Sequence, residues 1–589
     1  MQGKTLGAEG VIWDLSHLYK GPDDPQIEKD LGEVKARAKE IEETHKGHVK
    51  DLTPQGLHDL VRELEALNER FARIAAYAQL DFSTNCTDPQ KGAFLQRIRE
   101  EGAEIQRHLV FFDLEWQKVP EDLASTILKD KTIEHYRHYL AFLRRLAPHT
   151  LSEEQEKLLI DLSPVGRSSW ITLFEKVMAH LRFGAEERTQ EEVLSDLYSP
   201  DRNVRKKAHK DFTEGLKQEE HVLTHCFNTV LMEKAIEDRL RHYSSWISSM
   251  NLSNELRDDT VQVLVDTVTD HYEIVAKYYK KKSRLLGLDT LFDYDRYAPV
   301  PGGSEEVIQW EECKEIVLQA YFEFSDTFGT IGKKFFDEGW IHAPVLPGKT
   351  SGAFAHPTVP SCHPYLLVNY TGRIRDVETV AHELGHGIHQ YLSREVGYFN
   401  SHTPLPLAET ASVFGEMLVF KALLKRLKDD EARRALICEK VESIFATIFR
   451  QIAMNRFEDA IHTARRTQGE LSPDAFGELW IKTQREMFKD SVELTQEYSH
   501  WWSYISHFIH APGYVYAYAF GELLVLALYA MYEESGGKDF VQKYIKLLSS
   551  GGKEDPYTLL SPFGIDLDSP KFWEQGLKKI EEMVDNIAI

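Results

Sequence analysis

The sequence predicts a mainly α protein built as two helical lobes around one cleft. Apolar residues recur at intervals of three and four along most of the chain, which is the helical period. Of its 589 residues, 42% are hydrophobic, enough for a sizeable core, and helical chains of this length often fold as two lobes. Glycine and proline clusters interrupt the pattern at only a few places. The expected division is an N-terminal helical lobe over 1–195 and a second region over 196–589.

Taken in order, the stretches 26–46 and 93–115 alternate charges with spaced apolar residues, as helices with one buried face do. Ser163-Pro164-Val165-Gly166 breaks the pattern. Ser199 followed by Pro200 reads as an N-cap and a first helical position. Further breaks fall at Pro299-Val300-Pro301-Gly302-Gly303 and over the Pro/Gly-rich segment 343–361. Asp376 is expected to cap a helix whose Val377, Val380, Ala381, Leu384, Ile388, Tyr391 and Leu392 form one apolar face. Thr403-Pro404-Leu405-Pro406 then starts a second, antiparallel helix that Glu409 opens. Aromatics crowd the segment 497–521, and such density means core. The longest apolar run, Leu523 to Tyr532, is far too short to span a bilayer, and Met1-Gln2-Gly3-Lys4 lacks the apolar stretch of a signal peptide.

Within the capped helix lies Ala381-His382-Glu383-Leu384-Gly385-His386-Gly387. Residues four apart on an α-helix share a face, so His382 and His386 can direct ring nitrogens at one ion. Glu383 is turned about 100° from His382, beside the ion rather than on it, where a carboxylate can take a proton from water. Gly385 and Gly387 each cost about 1 kcal/mol relative to Ala in a helix, which suggests that something packs close to the backbone there. A catalytic zinc usually has three protein ligands and one open position. A metzincin would need Gly at 389 and His at 392, where this chain has His389 and Leu392. The third ligand is therefore expected among the carboxylates that follow, and Glu409 is the choice. Glu416, His389 and Glu378 are expected to hydrogen-bond around the ligands, Glu378 by orienting His382 from one turn earlier. One Zn2+ per chain and a metallohydrolase follow.

Composition excludes other classes. Five scattered cysteines without a CxxC give neither a disulfide framework nor a thiolate zinc site, and they fit a reducing cytoplasm. A net charge of −24 without a basic patch argues against nucleic-acid partners. No membrane association is expected.

His382-Glu383-Leu384-Gly385-His386-Gly387-Ile388-His389, followed by Ala408-Glu409-Thr410-Ala411-Ser412, resembles the thimet oligopeptidase family of zinc peptidases, and most of all its oligoendopeptidase F branch. Trp13-Asp14-Leu15-Ser16-His17-Leu18-Tyr19 is similar to that branch as well. The resemblance implies zinc on His382, His386 and Glu409, and short peptides as substrates, admitted to a deep channel between the lobes. It also implies that Gly352-Ala353-Phe354 and the apolar run Tyr365 to Tyr370 are substrate-side, the run as an edge strand of a small sheet to which an extended peptide pairs. His507-Phe508-Ile509-His510-Ala511-Pro512-Gly513-Tyr514 is similar to the family's histidine followed by Gly-Tyr, whose side chains donate to substrate and oxyanion. The spacing departs from the thimet pattern by one residue, so His507 is the expected histidine and His510 the alternative. Tyr514 and Tyr518 share a helical face, and Tyr516 points elsewhere.

The mechanism expected is hydrolysis of a peptide bond by a zinc-activated water, with Glu383 as base and proton carrier and with His507 and Tyr514 at the oxyanion. Two other readings use the same residues. In one, Glu383-x-x-His386 and Glu497-x-x-His500 are paired elements of a di-iron carboxylate oxidoreductase. In the other, the chain is a non-catalytic helical peptide-binding protein, for which a retained general base has no purpose.

Overall fold

The computed structural model describes residues 6–162, 165–303, 306–535 and 537–588. Met1 to Lys4, and Ser163 and Pro164 of the first expected break, lie outside them. Among the described residues the fold is mainly helical, with one small sheet. The chain divides into two compact units, each assembled from three segments: 1–150, 305–426 and 534–565 in the first, and 151–304, 427–533 and 566–589 in the second.

In the first unit the helices Pro25–His45, Pro54–Thr84 and Pro89–Leu109 pack on one another. Each begins with proline behind a capping side chain. Asp24 accepts from the Gln26 amide, Thr53 from Gly56, and Asp88 from Gln90 and Lys91. Ile27, Leu31, Val34, Ala38 and Ile41, buried at steps of four and three, form the inward stripe of the first helix. The stretch 93–115 is two helices, because Val110 separates Pro89–Leu109 from Phe111–Lys118.

The sheet has three strands, β1 (Ile341–His342), β2 (Phe354–His356) and β3 (Tyr365–Leu367), in the order β1-β3-β2. β3 pairs parallel with β1 and antiparallel with β2, so Phe354 faces Leu367 and His356 faces Tyr365. The expectation that the apolar run beginning at Tyr365 is an edge strand is corrected. β3 is central and buried on both faces, as its unbroken apolar sequence requires, and β1 and β2 are the edges, β2 with half-buried residues. β2 and β3 pack on the helix Ile374–Ser393, which carries the His-Glu motif.

The second unit is centred on an aromatic core. Phe212, Phe227, Trp480, Tyr498, Trp501, Trp502 and Phe508 are all buried in it, so the aromatic density seen after residue 497 is largely core. Its helix Arg202–Gln218 starts later than expected. Asp201, not Ser199, is the N-cap and accepts from the Asn203 amide, while Ser199 Oγ accepts from Asp201 N–H. Proline disfavours the helical region at the residue before it, which keeps Ser199 outside the helix. The Leu523 to Tyr532 run lies in the helix Tyr516–Ser535. Among the described residues no helix is long and apolar enough to cross a membrane.

Candidate metal centre

The motif helix Ile374–Ser393 starts about two turns before His382. Asp376 is its third residue rather than its cap, and its carboxylate reaches back to accept from the amides of Arg373 (3.0 Å) and Thr371 (2.8 Å). Two donors at the helix start are satisfied by one side chain, which serves the purpose expected of a cap.

The two motif glycines are explained by close approach. A Cβ on Gly385 would stand 2.6 Å from Ser412 Cα and closer still to the Ala411 carbonyl oxygen. A Cβ on Gly387 would meet Phe335 Cζ at 2.7 Å and Leu366 Cδ2 at 3.2 Å. The motif helix therefore presses against the chain that follows Glu409 on one side and against the sheet and Phe335 on the other. Glu409 itself does not open a long helix. It caps the short helix Leu405–Ala408 and lies in the turn before Ser412–Arg426. That turn is pinned by Tyr544 of the helix Lys538–Ser549, whose buried hydroxyl donates to the Thr410 carbonyl at 2.6 Å.

His382, His386 and Glu409 are brought together, each offering one ligand atom within 4.8 Å of the others. Glu409 Oε2 stands 3.4 Å from His382 Nε2 and 3.3 Å from His386 Nε2. Two donors each about 2.1 Å from one zinc ion at tetrahedral angles stand about 3.4 Å apart, so the two Glu409 distances each match a tetrahedral edge. Two imidazoles and a carboxylate are also the donor types that zinc takes in hydrolytic sites. Ser412 Oγ donates to the same Glu409 oxygen at 2.7 Å.

Around the three, His382 Nδ1 meets Glu416 Oε2 at 3.1 Å. This contact leaves Nε2 turned towards Glu409, and it is made by Glu416 rather than by Glu378, which is half-buried one turn before His382. His389 is buried and hydrogen-bonds through Nε2 to Thr403 Oγ1 at 3.3 Å. Burial, helped by the neighbouring His386, pushes the His389 imidazole down to about 4 and keeps it neutral. Burial also acts on His382, but the hydrogen bond to Glu416 and the charges of Glu409 and Glu416 outweigh it and lift its imidazole to about 9. At Glu409 the opposite balance holds. Burial would raise the carboxyl, yet the two histidines and Ser412 hold it at about 2. Glu383 is only 8% exposed, and burial lifts its carboxyl above the ordinary range.

One contact was not readable from the motif. Tyr321, buried on the helix Trp310–Phe324, donates to the Ala381 carbonyl at 2.6 Å and lies against Gly415, where any Cβ would overlap its hydroxyl. A glycine in the helix after Glu409 was the only local signal of it.

In the second unit, His507 and the tyrosines expected with it form a cluster. His507 Nε2 is 3.3 Å from Tyr518 Oη, the His507 and Tyr514 rings are parallel at 6.4 Å, and Tyr514 and Tyr518 meet edge-on at 5.0 Å. His510 is not part of it, since its Nε2 faces Glu175 Oε1 at 3.4 Å. Tyr516 is buried and its hydroxyl accepts from Asn254. The turn between His510 and Tyr514 uses a left-handed Gly513, whose amide donates to Glu458 Oε1 at 2.9 Å. Gly352 and Phe354 belong to the first unit, Gly352 in a left-handed turn and Phe354 at the start of edge strand β2. Glu497-x-x-His500 lies on a 3-10 turn with His500 Nδ1 2.5 Å from Glu220 Oε1, so it is not the α-helical element that a di-iron site requires.

Known proteins are similar to this chain. The family model described as peptidase family M3 matches residues 196–579, well over half of the chain, and one described as oligopeptidase F matches 115–183. The oligopeptidase PepF of Bacillus subtilis is 26% identical over 98% of this chain and 86% of its own length. An oligoendopeptidase F homolog of Lactococcus lactis is 24% identical over 98% of both. The crystal structure of oligoendopeptidase-F from Enterococcus faecium shares the fold, with a TM-score of 0.69 at 22% identity over 95% of this chain and 99% of that one.

Proposed function

This chain belongs to peptidase family M3 and is a peptide-hydrolysing metallopeptidase, and on that premise we propose that it is a zinc-dependent oligopeptidase of short peptides. The observation that carries the reading is Glu409 at tetrahedral-edge distance from both His382 and His386, with the buried Glu383 next in sequence to His382.

His382, His386 and Glu409 would hold one zinc ion, which when bound supplies Lewis-acid activation of a water molecule and of the scissile carbonyl. Glu383 takes the proton of the attacking water and hands it to the leaving amine. Its raised carboxyl suits a group that must first accept and then release a proton near neutral pH. Glu416 keeps His382 in the tautomer that exposes Nε2. Glu378 and His389 steady the same surroundings. His507 and Tyr514 donate to the oxyanion that develops during attack, and Tyr518, through its contact with His507, helps to hold the substrate. Gly352 and Phe354 present the edge of β2 to an extended peptide. We assign the peptidase chemistry to 196–589 and treat 1–195 as an accessory helical region. Five free cysteines support a reducing, cytoplasmic setting.

The test is Glu383→Gln. The variant is expected to keep its zinc by elemental analysis and to lose cleavage of a quenched-fluorescence peptide by several orders of magnitude. Full activity in that variant would overturn the mechanism.

A further inference from the structure

Buried cations of the second unit are matched by carboxylates almost everywhere. Arg205 pairs with Asp295 at 2.8 Å, Lys282 with Glu442 at 2.5 Å, and Lys234 with Asp238. Arg296 and the half-buried Arg450 have no carboxylate, and Arg450 differs from the half-buried Lys281 and Arg465, which donate to backbone carbonyls instead. Arg296 is 4% exposed and lies over the rings of Tyr498 (4.9 Å), Tyr297 (5.0 Å) and Phe488 (5.3 Å), with Nε donating to the Asp293 carbonyl. Arg450, half-buried at the start of the helix Phe449–Gln468, donates to the hydroxyls of Tyr297 (2.9 Å) and Tyr504 (3.2 Å). Among the described residues, no carboxylate oxygen comes within 4.0 Å of a nitrogen of either guanidinium. This occurs in a chain with 94 acidic and 70 basic residues, where acidic partners are abundant.

The donors around Arg450 also exceed the acceptors. Both phenol oxygens are occupied as acceptors from Arg450, and among the described residues neither hydroxyl has an acceptor for its own proton. Arg450 Nε is buried without a partner. A guanidinium fork flanked by two O–H donors, with no anion of its own, is the donor set that recognises a carboxylate. Tyr297 and Tyr504 are half-buried, so a ligand can reach them. The charges act on their neighbours as well. Burial would raise the Tyr297 phenol, but Arg450 and Arg296 hold it below its ordinary value. Beyond burial and His510, the Arg450 charge is a third influence that lowers His507.

We propose that Arg450, with Tyr297 and Tyr504, binds a carboxylate of the peptide substrate and selects anionic peptides. This rests on the reading of the chain as a peptidase with His507 on the substrate side. The carboxylate is either the free C-terminus of the peptide or an acidic side chain.

Three quenched-fluorescence peptides of one sequence separate these sources: a C-terminal acid, the C-terminal amide, and the amide with one Gln replaced by Glu. Wild type is expected to cleave at least one carboxylate peptide with a kcat/KM about tenfold above the neutral amide, mostly through KM. In Arg450→Met the ratio is expected to fall to about one. If Arg450→Met does not fold, Tyr504→Phe decides, with an expected loss of about threefold in the ratio. Equal rates for all three peptides in wild type, or an unchanged ratio in the folded variant, would overturn the proposal. Anisotropy of labelled versions of the peptides on the Glu383→Gln protein reads binding without cleavage. Discrimination in binding without hydrolysis by wild type would sink the peptidase reading and keep the carboxylate site. Hydrolysis without discrimination in either assay would do the reverse.

Discussion

Glu416 Oε2 sits 3.1 Å from His382 Nδ1, on the far side of the imidazole from Glu409. One carboxylate thus orients a ring whose other nitrogen faces the ligand cluster. Carboxylate partners of this kind typically change metal affinity by about ten- to a hundredfold when lost. Glu416→Gln should therefore weaken zinc binding by about that factor, read by competition with a chromophoric chelator, whereas Glu409→Ala should remove most of the bound metal. Unchanged zinc in Glu409→Ala together with loss in Glu416→Ala would exchange their roles.

Gly385 touches backbone, which cannot move aside as a flexible side chain would. Ala at this position must push the Glu409 turn away from the motif helix, since its Cβ would meet Ser412 Cα at 2.6 Å. Overpacking of this kind costs about 1–3 kcal/mol. Gly385→Ala should show that loss in urea unfolding and also bind zinc more weakly. A variant of wild-type stability would mean that the two segments are not in contact.

His507 and His510 are separated by their surroundings, one against Tyr518 and the other against Glu175. Removing a donor to a developing oxyanion costs about 100- to 1000-fold in kcat. His507→Ala should fall in that range and His510→Ala within about threefold of wild type, by steady-state kinetics on one peptide. The opposite order would move the role to His510.

Glu458 gives stability a pH dependence. It is fully buried, and burial raises its carboxyl to about 8, against an ordinary value of 4.5, despite the hydrogen bond from Gly513. Between those values the folded state holds a proton that the unfolded chain has released. Stability from this group is therefore complete below about 4.5 and is lost as pH rises towards 8. Glu458→Gln should flatten that slope in chemical denaturation curves measured from pH 5 to 8. An equal slope in both proteins would place the charge change elsewhere.

Much of the site was legible because it is local. His382, Glu383 and His386 follow from helical spacing, and the tight packing at Gly385 and Gly387 follows from their cost in a helix. The rest depends on partners distant in sequence. Tyr321 reaches Ala381 across 60 residues, and nothing in the pattern around Trp310 announces it. Strand order was misread because strands of two and three residues do not reveal which one is flanked on both sides. The Arg450 cluster joins Tyr297, Arg450 and Tyr504, whose separations carry no period. The helix starts at Asp201 and Ile374 differ from expectation by a few residues, where several polar side chains compete to satisfy the same amides.

The contact between Tyr544 and the Thr410 carbonyl bears on the order in which the protein is made. A chain emerging from the ribosome presents His382, His386 and Glu409 long before residue 544, and the unit that holds them is completed only by its third segment, 534–565. Domains generally fold as units during synthesis. Until residue 544 has been made the Glu409 turn lacks its fastening, so a chain cut short before that point carries every ligand yet not the clasp that sets them.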